Sequence, residues 1–218
     1  SHSVAPPTFV HEIDAELLKG RNTVAECYTK VLADLTSAES LITNTTKTKA
    51  TKNAAIAFKT RVYLHKRDWD NVLVEGAKIA NAFTLTSTPN GPFADSYSNT
   101  ESIFSILHAA TNNPGVNPAL ASQYKTRGLV SISPIIWRDP SWLADDKRRE
   151  EGVMVNTVSN VKYTNKYKDG VTYTDAAPVI RFAEVVLNMA EANARKSSPD
   201  LATALTLFDA SGIKKEDL

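Results

Sequence analysis

The chain has 218 residues, of which 25 are Lys or Arg and 24 are Asp or Glu, so its formal net charge is only +1. Its 42% hydrophobic content fits a folded core and excludes a chain that is disordered throughout. The balanced charge disfavours nucleic-acid binding by the whole chain. The single cysteine, Cys27, excludes an intrachain disulfide framework.

The first strong helical pattern begins at Thr23. Thr23-Val-Ala-Glu26 has the form of a capping box, in which the two side chains satisfy free backbone N–H groups at a helix start. Apolar residues then recur at helical spacing as far as Ile42. A second helix is predicted from about Thr51 to Lys66. The residues predicted to form its inner face are Ala54, Ala55, Phe58, Val62 and His65.

A third helix is predicted directly behind Asp68, which has the character of an N-cap residue. The apolar stripe of this helix starts at Trp69. Because the linker from the second helix is only a few residues long, the two helices must fold back on each other as an antiparallel hairpin.

Residues 83–177 are predicted to form a loop-rich insert. Pro89-Asn-Gly-Pro92 is a strong turn cluster, and either a strand or a short helix fits the apolar segment 101–108. Asp169-Gly170, between Tyr-rich alternating stretches, predicts a β-hairpin.

Helical periodicity returns at Pro178 and predicts a helix that includes Val179. Ser198-Pro199 then predicts the N-cap and first turn of a further helix. The chain is thus predicted to carry two helical hairpins, at about 21–82 and about 178–212, on either side of the insert.

The first hairpin resembles a tetratricopeptide repeat, although no repeat of about 34 residues recurs as it would in an ordinary solenoid. Four segments, in order, carry a further resemblance. They are Arg21–Leu35, Ala50–Leu64 with Asp68-Trp69, Asn99–Phe104, and a C-terminal set of Asp146-Lys-Arg148, Asn165-Lys-Tyr167, Ala177–Glu184 and Ala190-Glu-Ala192. In this combination they are similar to the SusD/RagB-like family of the Bacteroidetes outer membrane.

This resemblance implies a mainly α-helical protein: a single SusD-like domain over residues 1–218, with tetratricopeptide-like hairpins in an α-α superhelix and minor β content. It also implies a cell-surface lipoprotein that binds a glycan, or less often a peptide. That protein would deliver its ligand to a SusC-like TonB-dependent transporter and would not be an enzyme. The lipidated cysteine and the C-terminal segment of the family have no counterpart here. We therefore expect either a core without its anchor and tail or a short family member.

Sugar recognition requires flat apolar faces for the C–H groups of the ring and polar partners for its hydroxyls. The insert supplies both, and the predicted ligand-binding residues are Trp137, Trp142, Tyr124, Arg138 and Tyr97. The alternative is that the tryptophans only pin the insert onto the helices.

No other chemistry is indicated by a motif. The four histidines lack the spacing of metal ligands, and no phosphate-binding loop or nucleophile elbow is present, so neither a metal nor a cofactor is predicted. The alternative function is a peptide- or protein-binding adaptor built on tetratricopeptide-like helices, with no role in transport.

Overall fold

The computed structural model describes residues 21–94 and 97–211. The α-helices are α1 (Val24–Leu41), α2 (Lys52–Lys66), α3 (Trp69–Ile79), α4 (Gly91–Ala94), α5 (Pro134–Trp137), α6 (Phe182–Arg195) and α7 (Leu201–Ala210). The strands are β1 (Ser102–Ile106), β2 (Val155–Val158), β3 (Val161–Thr164) and β4 (Ala177–Arg181). A π-helical turn occupies Ser122–Thr126 and a 3₁₀ turn occupies Lys147–Arg149. The predicted mainly α-helical fold with minor β content is confirmed.

Local capping sets the start of α1, as the sequence predicts, and also the start of α2. At α1, the backbone N–H of Glu26 donates to Thr23 Oγ1 at 3.2 Å, and the backbone N–H of Thr23 donates to Glu26 Oε2 at 2.8 Å. At α2, Thr51 Oγ1 accepts from the backbone N–H of Ala54 at 3.0 Å. These contacts satisfy N–H groups that have no partner inside the helix.

Helix α2 lies at the centre of the helical layer and contacts α1, α3 and α6. Its small residues, including Ala54 and Ala55, are buried and allow the neighbouring helices to approach closely. The prediction that His65 belongs to the inner face is wrong. That residue is exposed in the last turn of α2, next to the exposed Lys66 and Arg67.

The two hairpins pack on each other although about 100 residues separate them in the chain. Helices α2 and α3 form the first hairpin, α6 and α7 form the second, and α3 contacts α6. The contact is close at Gly76, where a Cβ atom would lie 2.5 Å from Met189 Sδ. A glycine at this position therefore sets the distance between the hairpins.

Strand β4 occupies residues that the sequence pattern assigned to a helix. The prediction of helix from Pro178 onward is wrong, because residues 177–181 pair antiparallel with β1 and the helix begins at Phe182. The backbone N–H of Phe182 donates to Glu101 O at 2.9 Å, which extends the pairing to the helix start. For the segment 101–108, the structure selects the strand over the short helix.

Strands β2 and β3 form the hairpin of the insert. The prediction of a hairpin at Asp169-Gly170 is therefore wrong. Ser159 and Asn160 form the turn with φ values of 49° and 65°, as a tight hairpin turn with the favoured twist requires. At Asp169, the carboxylate instead accepts backbone N–H groups from Val171, Thr172 and Thr174. These local bonds replace the ladder bonds of a strand.

Helix α7 begins two residues later than the sequence pattern predicts. Its N-cap is Asp200, whose Oδ1 accepts from the backbone N–H of Thr203 at 3.0 Å, and not Ser198. The predicted end of this hairpin at residue 212 lies outside the described residues. The division of residues 1–218 into one domain remains a prediction.

The hydrophobic core joins the helices to the β1–β4 sheet. Its buried members are Ala54, Ile56, Ala57, Ile79, Ile103, Ile180, Phe182, Val185 and Val186. None of them comes from residues 107–176. The greater part of the insert is thus attached to the outside of this core, and it carries the candidate site.

Candidate binding site

Two tryptophans form the centre of the candidate site. Trp137 is the last residue of α5, a single turn capped by Ser133, and Trp142 lies in the loop that follows. Their ring centroids are 5.5 Å apart and the ring planes make an angle of 76°. This edge-to-face arrangement is a favoured aromatic pairing, and it does not provide one flat platform made of both rings.

Arg149 holds the two tryptophans together. Its guanidinium donates to the backbone carbonyls of both residues, with Nη2 at 2.9 Å from Trp137 O. The same group lies 4.2 Å from the centroid of the Trp137 ring and 5.2 Å from that of Trp142. One side chain thus fixes both the backbone and the rings of the pair.

A second cation contacts Trp137. Lys162 Nζ, on strand β3, lies 4.5 Å from the ring centroid. Arg149 and Lys162 border different depressions, and Trp137 borders both of them. Two cations of the protein thus already contact the Trp137 ring.

Of the two rings, Trp142 has the fewer cation contacts, because only Arg149 lies over it among the described residues. It borders two open depressions of about 440 Å³ each. One of them also involves Arg138, and the other involves Ile136 and Ser141. Asp139 borders both. Arg138 is exposed at the rim, so it can donate to a ligand hydroxyl without first breaking a buried contact.

A hydrogen bond to the buried Asp146 fixes the position of the Trp142 indole. The indole Nε1 donates to Asp146 Oδ2 at 3.1 Å, and Arg148 forms an ion pair with the same carboxylate. Burial alone would raise the pKa of Asp146, but hydrogen bonds from the Arg148 side chain and backbone, its charge, and the Trp142 indole hold that pKa below its usual value. Asp146 and Arg148 thus form a structural pair beneath the Trp142 ring.

Tyr124 and Tyr97, the other two predicted ligand-binding residues, lie apart from the tryptophans. Tyr124 stacks on Tyr167 with centroids 6.1 Å apart, and Tyr167 meets Phe93 edge-on at 5.9 Å. Tyr97 is half-buried. Neither Tyr124 nor Tyr97 borders the depressions around Trp137 and Trp142. The structure thus brings together three of the five predicted residues.

Sequence reasoning missed Arg149 and Lys162. Arg149 lies within the mixed charge run 145–151, a pattern typical of a solvated surface. A signal was present in part, because an arginine close in sequence to two tryptophans is a common cation–π partner. Lys162 comes from a strand 20 residues beyond Trp142, and nothing in the local sequence marks it.

Several other charged residues have structural partners that link the two halves of the fold. Arg181 Nη1 donates to Glu101 Oε1 at 2.6 Å, and Arg61 Nε donates to Glu184 Oε1 at 2.5 Å. Arg181 and Glu184 are thus pairing residues that connect the C-terminal half of the fold to the N-terminal half. Within 21–94 and 97–211, no group of three His, Cys, Asp or Glu side chains could hold a metal ion.

Searches against known proteins find one family in two parts of the chain. The model described as "Starch-binding associating with outer membrane" matches residues 5–64, and that of the SusD family matches residues 133–210. A search of curated protein sequences finds no significant match. Of the helices in the described part of the chain, none has the length and apolar character needed to cross a membrane.

Solved structures show the same similarity. A SusD superfamily protein from Bacteroides fragilis is 29% identical, with a TM-score of 0.75 over 90% of this chain and 46% of its own. A SusD-like carbohydrate binding protein from Bacteroides vulgatus is 22% identical, with a TM-score of 0.73 over 92% of this chain and 46% of its own. Surface glycan-binding protein A from Bacteroides fluxus is 18% identical, with a TM-score of 0.61 over 87% of this chain and 52% of its own.

The chain thus spans about half the length of these solved relatives. The two family matches fall on the first helices and on the segment from α5 to α7, which the structure brings together through α2, α3 and α6. The four sequence segments that resemble this family all contribute to the fold described above. On these findings, the chain belongs to the SusD/RagB-like family.

Proposed function

We propose that this protein binds a glycan at the surface around Trp142 and does not act on it chemically. The observation that carries the proposal is the half-buried indole of Trp142, which borders two open depressions and is fixed from below by Asp146. A pyranose ring presents C–H groups that pack on such a ring, and fixed aromatic side chains lose little entropy on binding.

The polar surroundings of Trp142 fit this ligand class. Arg138 and Asp139 border the depression next to the ring and can bond to sugar hydroxyls as donor and acceptor. Open depressions of this kind suit an extended oligosaccharide rather than a small molecule that must be fully enclosed. The relatives described as carbohydrate-binding and glycan-binding support the same ligand class.

The second part of the proposal concerns the cell. We infer that the full-length protein is a lipoprotein at the outer-membrane surface and passes its ligand to a SusC-like TonB-dependent transporter. Family membership and the family description "associating with outer membrane" support this part. Its test is co-purification of the transporter with the full-length protein from outer membranes. Isolation of the protein without any TonB-dependent transporter would refute it.

Glycan binding is tested by affinity electrophoresis and calorimetry against a panel of neutral polysaccharides, including amylose, xylan and galactomannan. We expect Trp142→Ala to weaken binding of the best ligand by at least about tenfold, in line with the size of stacking contributions. Binding of peptides but of no glycan would refute the proposal and support the adaptor alternative.

A matched pair of variants separates stacking from general damage to the fold. The same Trp→Phe replacement is made at Trp142 and at Trp69, which lies at the start of α3 outside the insert. We expect weaker binding only for Trp142→Phe, since Trp69 borders neither of the Trp142 depressions. Equal losses for the two variants would show that Trp142 acts through stability and not through contact.

A further inference from the structure

A cavity of about 380 Å³ lies between the loop 85–89, β4 and α6. Its walls combine apolar side chains with three cations and one carboxylate. The apolar wall residues include Leu85, Phe93, Met154 and Leu187, and the charged ones are Glu101, Arg148, Lys166 and Arg181. This volume is in the range of sites for small ligands.

Two of the three cations already have a partner. Arg181 donates to Glu101, whose other oxygen accepts from the backbone N–H of Thr86 at 3.2 Å and from its hydroxyl at 2.9 Å. Arg148 is paired with Asp146. The carboxylates of Glu101 and Asp146 are therefore already paired, and neither neutralises the third cation.

Lys166 is the third cation, and its ammonium has neither a hydrogen bond nor an ion pair with any residue of the described part of the chain. This ammonium lies 5.1 Å from the centroid of the Phe93 ring, which the guanidinium of Arg181 also approaches at 5.2 Å. Burial lowers the pKa of Lys166, and the charges of Arg181 and Arg148 lower it further. A half-buried ammonium near two other cations is costly without an anion, so the cavity has one unbalanced positive charge.

Arg148 connects this cavity to the proposed glycan site. It borders both the cavity and the depression on one side of Trp142. The cavity and this depression are thus neighbours that share one wall residue. Hydroxyl groups of Ser87 and Thr88 on the wall of the cavity provide partners for the hydroxyls of a sugar unit.

We propose that this cavity binds an acidic sugar unit that carries one negative charge, with its anionic group beside Lys166 and its ring against Leu85 and Leu187. The proposal rests on glycan binding as the function. A single surplus charge matches a monoanion such as a uronate, and the apolar wall matches a sugar ring better than a bare inorganic ion.

The test compares glucuronate with glucose, which differs only in having a CH₂OH group in place of the carboxylate, by NMR titration of the full chain. We expect glucuronate to bind at least about tenfold more tightly, since hydrogen bonds to charged groups contribute more than neutral ones. Equal affinities would overturn the proposal. Displacement of glucuronate by acetate at the same concentration would also overturn it, because the sugar ring would then contribute nothing.

Variants locate the site. We expect Lys166→Gln to abolish the preference for glucuronate and Lys168→Gln, the same change at an exposed position two residues away, to retain it. As a second variant without any change in charge, Ala183→Leu fills the cavity from α6 and is expected to block glucuronate. Retention of the preference in both Lys166→Gln and Ala183→Leu would refute the assignment.

The neutral polysaccharide panel keeps this proposal distinguishable from the proposed function. Binding of a neutral glycan that depends on Trp142, together with no preference for glucuronate, would refute the acidic site alone. Preference for glucuronate that depends on Lys166, together with no binding of longer glycans, would refute the glycan surface and leave a site for a free acidic sugar.

Discussion

Replacing Arg149 by lysine tests whether this side chain holds the tryptophan pair in place. The guanidinium donates to the backbone carbonyls of Trp137 and Trp142 and lies over both rings. Lysine keeps the charge, but its single ammonium cannot bond to both carbonyls in the planar geometry of a guanidinium. The variant therefore removes the bridge and leaves the net charge unchanged.

The size of the effect follows from the contacts that are lost. A hydrogen bond from a charged donor contributes about 1.5–3 kcal/mol when well buried, and a cation–π contact contributes about 0.5–1 kcal/mol at an exposed site. Arg149 is half-buried, and lysine retains part of both contributions. We therefore expect a net loss of about 1–2 kcal/mol, which corresponds to roughly tenfold more frequent opening of the loop.

Amide hydrogen exchange measures this opening directly. The reporters are the backbone N–H groups of Trp137 and Trp142, which donate to Ser133 O at 2.9 Å and to Asp139 O at 3.1 Å. We expect both to exchange roughly tenfold faster in Arg149→Lys. Amides of α1, which packs on α2 away from the insert, serve as the internal reference.

Arg195 offers a matched control. Its guanidinium lies 5.9 Å from the centroid of Trp69 and forms an exposed pair with Glu191, but it bridges no carbonyls. We expect Arg195→Lys to change exchange near Trp69 by less than about twofold, because exposed pairs contribute little. Unchanged exchange at Trp137 and Trp142 in Arg149→Lys, or an equal effect in Arg195→Lys, would refute the reasoning.

Two further predictions concern stability. Lys59 is buried between α1 and α3, where it pairs with Glu39 and lies 3.6 Å from Glu75 Oε1. Because Lys59→Met leaves these carboxylates without their buried partner, it should lower the free energy of unfolding, measured by urea titration, by about 3 kcal/mol. Lys30→Met, at an exposed pair, should produce no measurable change, and equal effects of the two variants would contradict this. The pKa of Asp146 in the folded protein lies below its value in the unfolded chain, which is about 3.9. The carboxylate therefore stabilises the folded protein above that pH, and this stabilisation is lost as the pH falls through the folded-state pKa. Tryptophan fluorescence should therefore change below about pH 4, and Asp146→Asn should lack that transition; a transition that persists in the variant would assign it to another group.

The sequence predicted the helices well where their signals are local. The capping box at Thr23 and the short linker before Asp68 depend only on neighbouring residues, and both predictions hold in the structure. Strand β4 could not be predicted in this way. Its pairing partner β1 lies about 75 residues earlier in the chain, and its apolar pattern also fits the first turn of a helix.

The candidate site was predictable by residue type but not by geometry. Tryptophans in an irregular segment are unusual enough to mark Trp137 and Trp142, and the structure places them in contact. Their perpendicular rings, and the position of Lys162 over one of them, depend on how separate loops cross. Nothing in the sequence order could assign Tyr124 to a different aromatic cluster, because that assignment follows from its contact with Tyr167.

Asp146 explains how a site outside the hydrophobic core can still be rigid. Its carboxylate accepts from the Trp142 indole and from Arg148, which borders both the Trp142 depression and the Lys166 cavity. Arg149, three residues further along the chain, donates to the backbone carbonyls of both Trp137 and Trp142. All of these contacts are made between residues of the insert. Side chains at the rim of the site, such as Arg138, can therefore be substituted without disturbing the core that holds the helices together. Ligand preference in this fold is therefore expected to depend on the rim residues, while the affinity contributed by stacking depends on the ordering of Trp142 by Asp146 and Arg149.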